Sequence, residues 1–125
     1  MLKENDYQVG SGANFTCAKI GPIKCNILAA GDDQSNITIW KLTDLKPRKT
    51  FSCGSDEISS LIFNEKIVKI YSGTATGQAH IWDIDKGSLI KGFTGHQAAV
   101  TALCTSQNDN QLFTGGKDAK IRIWD

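Results

Sequence analysis

Residues 120–125 read Lys120-Ile121-Arg122-Ile123-Trp124-Asp125, and this stretch decides the fold. Polar and apolar side chains alternate up to the tryptophan, which is the two-residue period of a β-strand. The chain holds three tryptophans, at positions 40, 82 and 124, and each follows its predecessor by 42 residues. The same alternation leads into the other two, over residues 36–40 and 78–82. The sequence therefore predicts internal repeats that each end in a strand of one type.

Each repeat carries further strand signals before and after its tryptophan. Three further kinds of stretch recur at similar distances from the tryptophans. Short apolar runs ending in glycine lie at residues 28–31, 70–73 and 112–115, and compact runs with little charge lie at residues 15–20, 58–63 and 100–104. More polar stretches suited to an outer strand lie at residues 48–51 and 89–93. We expect four strands per repeat, in repeats at approximately 10–41, 52–83 and 94–125. Pro22 and Pro47 are expected in connections, where a missing N–H does no harm.

The spacing of a few residues indicates a family. Gly95-His96, Asp118 and Trp124-Asp125 resemble the WD-repeat family in order and spacing, and Trp82-Asp83 closes the second repeat in the same way. The resemblance covers nearly the whole chain after about residue 9. It implies an all-β WD-repeat β-propeller, because a four-stranded sheet of this size must pack face to face with its neighbours. Trp40, Trp82, Asp83 and Asp125 are its structural repeat markers.

Residues 1–125 supply three blades in this interpretation, whereas a closed propeller has about four to eight. We therefore expect an incomplete ring or a fragment of a larger propeller. The remaining blades or a partner chain would be needed to close it. Residues 6–9 could serve as a closing strand in a complete ring, as N-terminal strands often do in this fold.

The third repeat brings together His96, Thr114, Asp118 and Trp124. Imidazole, hydroxyl and carboxylate in one repeat could suggest a hydrolase. The family resemblance implies instead a structural tetrad in which these side chains hydrogen-bond in series. A nucleophile needs an exposed pocket, whereas this hydroxyl is expected inside the sheet, where polar groups need partners. We predict a structural network and no enzyme activity.

The other repeats lack parts of this tetrad. The second has Ser72 but Gly54 in place of the histidine and Thr76 in place of the aspartate. The first has Ala30 in place of the hydroxyl, no histidine, and a turn carboxylate at residue 32 or 33. We expect packing alone to hold these two repeats. His80, alone on its strand, is predicted to be a surface or inter-blade residue.

Composition argues against several functions. Fourteen Lys and Arg against thirteen Asp and Glu give a net charge of +1, and no basic run exceeds Arg48-Lys49, so we expect no nucleic-acid binding. The four cysteines form no C-x-x-C pair, which predicts reduced, buried thiols, no metal and no cofactor. No window approaches the roughly 18 apolar residues of a membrane span. We expect a cytoplasmic protein, with the cytoskeleton or centrosome as possible sites and the nucleus open.

In propellers of this family, partners usually meet the loops before the innermost strand and the tight turn between the next two strands. The resemblance carries this role to nine positions, which we take as partner-facing candidates. They are Asn14, Thr16 and Asp33; Glu57, Ser59 and Ala75; and Ala99, Thr101 and Lys117. Ordinary solvated loop residues are the alternative for each of them.

Within WD-repeat proteins, the chain resembles the N-terminal repeats of the regulatory, non-catalytic subunit of katanin. The similarity rests on residues 13–16, 30–33, 46–47, 72–77 and 94–96. It implies a protein-interaction scaffold that helps place an AAA-type ATPase on microtubules. The alternative is a generic WD-repeat adaptor in ubiquitin ligation, RNA processing or trafficking.

Overall fold

The computed structural model describes residues 12–21, 26–43, 46–52, 54, 56–64, 69–106 and 110–125, with only the main chain of Lys46 and Arg48. These residues form eleven β-strands and no helix. The strands are β1 Phe15–Ile20, β2 Ile27–Asp32, β3 Asn36–Lys41, β4 Lys46–Ser52, β5 Ile58–Phe63, β6 Lys69–Thr74, β7 Gln78–Asp83, β8 Ser88–Thr94, β9 Val100–Thr105, β10 Leu112–Gly116 and β11 Ile121–Trp124. No helix in this described part is long and apolar enough to cross a membrane.

The strands make three antiparallel sheets, each ordered as the chain runs. Sheet one is β1-β2-β3-β4, sheet two is β5-β6-β7-β8, and sheet three is β9-β10-β11 in the described residues. Sheet three therefore has three strands here, and the other two have four. The prediction of an all-β propeller built from repeated sheets is confirmed. The predicted closing strand at residues 6–9 lies outside the described residues.

The register is the same in all three sheets. Gly31 lies opposite Cys17, Gly73 opposite Ser60, and Gly115 opposite Ala102. Each sheet also has a register irregularity near the start of its inner strand. Positions in one sheet can therefore be matched with positions in the next.

Alternation along the strands gives each sheet two faces. We call the face that carries Gly31, Gly73 or Gly115 the forward face, and the face that carries Ala30, Ser72 or Thr114 the back face. The main core lies between the forward face of sheet one and the back face of sheet two. Its buried members are Ala29, Ile37, Ile39, Phe51, Ile58, Leu61, Ile70, Trp82 and Ile84.

Aromatic rings join the outer strands of neighbouring sheets. Phe51 of sheet one stacks on Trp82 of sheet two, with ring centroids 5.6 Å apart and planes at 5°. Phe93 of sheet two meets Trp124 of sheet three at 4.9 Å. Trp82 and Trp124 are thus part of the packing between sheets, where aromatic side chains bury a large apolar area.

Glycines let the inner parts of the sheets approach closely. A Cβ added at Gly31 would lie 2.7 Å from the Cβ of Ile58, and one at Gly73 would lie 2.7 Å from Cγ1 of Val100. Ile58 and Val100 begin the inner strands of sheets two and three, and both are fully buried. Any side chain at either glycine would push the next sheet away, since interiors have few voids of that size.

Pro47 was expected in a connection, and this expectation is wrong. It lies in β4, opposite Trp40, at a point where the register shifts between Ile39 and Trp40. β4 is the outermost strand of sheet one, and an edge strand next to an irregularity tolerates a residue without an N–H. Pro22 lies outside the described residues.

Candidate functional site

The four predicted tetrad residues meet in sheet three. Trp124 Nε1 donates a hydrogen bond to Thr114 Oγ1 at 3.1 Å, and His96 Nε2 lies 2.7 Å from the same oxygen. His96 Nδ1 lies 3.0 Å from each carboxylate oxygen of Asp118. The chain of bonds runs from β11 through β10 to the loop before β9 and ends at the turn between β10 and β11.

A single arrangement of protons satisfies every member. The indole N–H donates to the Thr114 hydroxyl, the hydroxyl donates to His96 Nε2, and Nδ1–H donates to the Asp118 carboxylate. Thr114 is fully buried, so its hydroxyl is enclosed by the sheet and does not face a substrate pocket. The geometry fits a structural role for these side chains.

Asp118 holds the loop before β9. Besides its contact with His96, its carboxylate accepts hydrogen bonds from the main-chain N–H groups of Gln97 at 3.1 Å and Lys120 at 3.2 Å. Desolvation opposes its ionisation, but the hydrogen bonds from His96, Gln97 and Lys120 outweigh this and lower the pKa of Asp118 from 3.8 to about 2. The carboxylate is therefore charged at neutral pH and fixes two neighbouring loops.

Six of the predicted partner-facing residues pair in the same way in each sheet. Main-chain N–H groups donate from Asp33 to Asn14 at 3.0 Å, from Ala75 to Glu57 at 2.9 Å, and from Lys117 to Ala99 at 2.9 Å. Each bond joins the loop before the inner strand to the turn between the next two strands. These six exposed or half-buried residues lie at corresponding ends of their sheets, and we call them the loop edge.

A side-chain bond fixes the same two loops in each sheet, with different chemistry each time. In sheet one, Asn14 donates its main-chain N–H and its Nδ2 to Asp33, at 3.1 and 3.2 Å. In sheet two, Thr76 Oγ1 donates to Asp56 Oδ2 at 2.7 Å. In sheet three the His96–Asp118 pair does this. The loop edge is therefore held by two kinds of hydrogen bond at every sheet.

Known proteins share this sequence pattern and fold. Residues 87–125 match the family described as WD domain, G-beta repeat. Protein ROOT INITIATION DEFECTIVE 3 of Arabidopsis thaliana is 31% identical over 98 residues, which cover 78% of this chain and 22% of that protein. Residues 87–125 therefore form a WD repeat, and the chain has the all-β fold of a WD-repeat propeller.

Other comparisons agree on the fold and differ in role. The THO complex subunit 6 homolog of Danio rerio is 27% identical over 90% of this chain and 39% of its own length. Meiotic fizzy-related protein 1 of Schizosaccharomyces pombe is 33% identical over 77% of this chain and 22% of its own length. The crystal structure of the computationally designed Ika8 protein matches 88% of this chain and 32% of the designed chain, with a TM-score of 0.77 and 27% identity.

The chain spans less than half the length of each of these proteins. None of them is named as a katanin subunit. The comparisons therefore support the WD-repeat family and leave the katanin resemblance as a proposal.

Sheet two has one hydrogen bond that the incomplete tetrad implied and others that the sequence did not predict. The implied bond is donated by Trp82 Nε1 to the fully buried Ser72 at 3.2 Å. Thr74 Oγ1 also accepts the N–H of Gln78 at 3.1 Å and lies 3.3 Å from Thr76 Oγ1, which continues to Asp56. The expectation that packing alone holds this WD repeat is wrong.

Sheet one also uses carboxylates. Asp32 Oδ1 accepts the N–H groups of Gln34 and Asn36, each at 2.9 Å, and so closes the turn between β2 and β3. Asp33 instead binds Asn14. The sequence left open which of the two adjacent aspartates is the turn carboxylate, and the structure assigns that role to Asp32.

Three of the nine partner-facing candidates have hydroxyls that are already used. Thr16 donates to the carbonyl of Ile58, and Ser59 donates to the carbonyl of Val100, so both hydroxyls bond the next WD-repeat sheet. Thr101 donates to Gly115 within its own sheet at 3.3 Å. The first two hydroxyls thus contact the neighbouring sheet, and the partner-facing role of these positions stays a prediction.

Two further sequence predictions concern isolated groups. His80 is half-buried on the back face of sheet two, 6.0 Å from the Trp82 ring, and burial lowers its pKa while Asp56 raises it. Among the described residues, no group of three or more His, Cys, Asp or Glu side chains could hold a metal. Cys17 is half-buried and Cys104 is exposed, so the expectation of buried thiols is wrong for Cys104. Cys25 and Cys53 lie outside the described residues.

Proposed function

We propose that this chain acts as a protein-interaction scaffold and that its loop edge holds the partner. The observation that supports this is the double fixing of the loops in every sheet: one main-chain hydrogen bond and one side-chain bond. Loops that are ordered before binding lose less conformational entropy when a partner arrives. The edge is therefore suited to recognition by a fixed surface.

The charges on the loop edge differ along it. Asp33 and Glu57 make the part on sheets one and two acidic, and Lys117 makes the part on sheet three basic. None of the six loop-edge residues is aromatic, so a partner would not find the aromatic anchor common in binding hot spots. We expect a partner surface with charges of both signs, arranged opposite to these.

Affinity purification of tagged variants tests this proposal. The double variant Glu57→Lys, Lys117→Glu reverses the charge on sheets two and three. It leaves the bonds that fix the loops in place, because those bonds use main-chain atoms of these residues. The matched control, Lys86→Glu, changes an exposed residue in the turn before β8. We expect the edge variant alone to lose specifically bound proteins, with Tm values equal to wild type. Recovery of the same proteins by all three forms would contradict the proposal.

We further propose the narrower role implied by the katanin resemblance, in which the scaffold places an AAA-type ATPase on microtubules. It is supported by the local similarities at residues 13–16, 30–33 and 94–96. The competing role is an adaptor in ubiquitin ligation, RNA processing or trafficking, and the similarity to a THO complex subunit homolog favours membership of some complex. Recovery of an AAA-type ATPase with tubulin supports the first role, whereas cullin adaptors or spliceosomal proteins support the second.

A further inference from the structure

The inner strands β1, β5 and β9 end around an open depression of about 370 Å³. All three sheets contribute to its lining, which includes Lys19, Ile20, Phe63, Leu103 and Cys104. We call it the inner-end depression. Small-molecule sites in proteins commonly measure about 300 to 1,000 Å³, so this depression has the size of a site for a small ligand.

The inner-end depression is separate from the loop edge. The loop edge includes the loops that precede the inner strands, whereas the depression lies where these strands end. Each inner strand has six residues, and a strand rises about 3.3 Å per residue, so roughly 17 Å separate the two ends. A ligand in the depression therefore leaves the loop edge free.

Apolar side chains make up much of the lining and are open to solvent. Ile20, the last residue of β1, is 66% exposed, and Phe63 and Leu103 are half-buried. At the other end, Ile58 and Val100 begin β5 and β9 and are fully buried. The inner strands thus have apolar side chains exposed around a concave surface at one end, which favours a ligand with an apolar part.

Lys19 gives the inner-end depression a positive side. It is the one charged residue in the described lining, and its exposed ammonium group makes no ion pair with a described carboxylate. The register matches Lys19 of sheet one with Ile62 of sheet two and Cys104 of sheet three. The charge is therefore confined to the wall formed by sheet one, and it complements an anionic group at one end of an apolar ligand.

We infer that the inner-end depression binds a small aliphatic carboxylate. The alkyl chain packs on Ile20, Phe63 and Leu103, and the carboxylate pairs with Lys19. Cys104 is exposed in the wall formed by sheet three, so the bound ligand covers its thiol. This binding is independent of the proposed partner at the loop edge.

Alkylation of Cys104 tests the inference on the 125-residue chain, with octanoate as the probe. Iodoacetamide is the reagent, and mass spectrometry of the peptide that contains Cys104 separates this thiol from the other three. At about ten times the half-protecting concentration, octanoate should slow the alkylation about 5-fold or more, because most molecules then hold the ligand. Octanol and octylammonium at the same concentration should slow it less. An unchanged rate with octanoate, or equal protection by octanol or octylammonium, would overturn the inference.

Two pairs of variants make the test specific to the depression. Lys19→Met should remove the preference for octanoate over octanol, whereas Lys86→Met, in the exposed turn before β8, should keep it. Ile20→Ser should raise the half-protecting concentration about 5-fold or more, because it removes apolar contact area. Its control Ile90→Ser changes a residue that is 47% exposed on β8, outside the depression, and should not raise it.

The fold should tolerate all four substitutions, because the replaced side chains are exposed. We expect Tm values within about 2 °C of wild type, as is usual for surface substitutions. A folded Lys19→Met variant that still prefers octanoate would overturn the assignment of the carboxylate to Lys19. Equal protection of Ile20→Ser and wild type would overturn the placement of the alkyl chain.

Discussion

The turn between the second and third strands is closed differently in sheet two and in sheet three. In sheet two, Thr74 at the end of β6 accepts the N–H of Gln78 at 3.1 Å. Sheet one does the same with Asp32 and Asn36. Sheet three has Gly116 at this position, so the corresponding N–H, that of Lys120, is donated to Asp118 at 3.2 Å.

Gly116 also makes room for the tetrad. A Cβ at this position would lie 2.6 Å from His96 Nδ1 and 2.7 Å from Asp118 Oδ1. A histidine–aspartate pair and a side chain at the end of the second strand therefore exclude each other. The comparison teaches that sheets one and two use a second, compatible way of fixing the same loops, and that the tetrad is not simply incomplete there.

The largest difference between the two sheets should come from their central hydroxyls. Thr114→Val leaves both His96 Nε2 and Trp124 Nε1 without a partner, which we expect to cost about 3 kcal/mol. Ser72→Ala deprives only the indole of Trp82 and should cost about 1 to 2 kcal/mol. Urea unfolding of both variants measures this, and equal losses would show that His96 contributes nothing to the network.

Alanine should be destabilising at Gly116 and tolerated at the adjacent Gly115. Gly116→Ala forces His96 and Asp118 apart, and we expect a loss of about 2 kcal/mol. Gly115→Ala is the matched control in the 125-residue chain, because its Cβ would make only an ordinary contact at 3.5 Å. Thermal unfolding of the two variants side by side is the measurement. A tolerated Gly116→Ala would mean that the tetrad shifts without cost.

The strands could be predicted from sequence because their signals are local and repeat three times. Alternation before Trp40, Trp82 and Trp124 fixes one strand in each repeat, and the runs at constant distances fix two more. β4 was the exception: its start at Lys46, with Pro47 inside it, could not be predicted, because the tolerance of an edge strand for proline depends on which side faces its neighbour.

The tetrad was found through its motif, whereas the contacts between sheets were missed. Thr16 and Ile58 are 42 residues apart, and nothing in either local pattern indicates that a hydroxyl of one reaches the carbonyl of the other. The Asp56–Thr76 bond was missed for a related reason: two loops meet there only once the sheet has formed. A match of Thr16 with Ser59 across repeats, both hydroxyls at the same strand position, was the available signal.

Acid should weaken sheet three through Asp118. Its pKa falls from an ordinary 3.8 to about 2 in the folded chain, so the stabilisation is fully present above the ordinary value and is lost as the pH falls through about 2. Asp118→Asn cannot titrate and lacks this contribution at every pH. We expect the gap in unfolding free energy between wild type and Asp118→Asn to close between about pH 5 and pH 2, as urea unfolding across this range would show. A constant gap would mean that the carboxylate acts only through its shape.

The smallest expected effect comes from giving sheet two the turn aspartate of sheet three. Thr76→Asp supplies the aspartate of the motif, but its carboxylate would lie beside Asp56, whose Oδ2 is 2.7 Å from the Thr76 hydroxyl in the wild type. Thr74 already takes the N–H of Gln78, and Gly54, in place of the histidine, has a φ of 115° that a histidine would rarely adopt. We therefore expect a loss of about 0.5 kcal/mol, which shrinks in about 1 M salt because exposed charges are screened. A gain in stability would instead mean that an aspartate captures the turn N–H groups despite Thr74, and that the two designs are interchangeable.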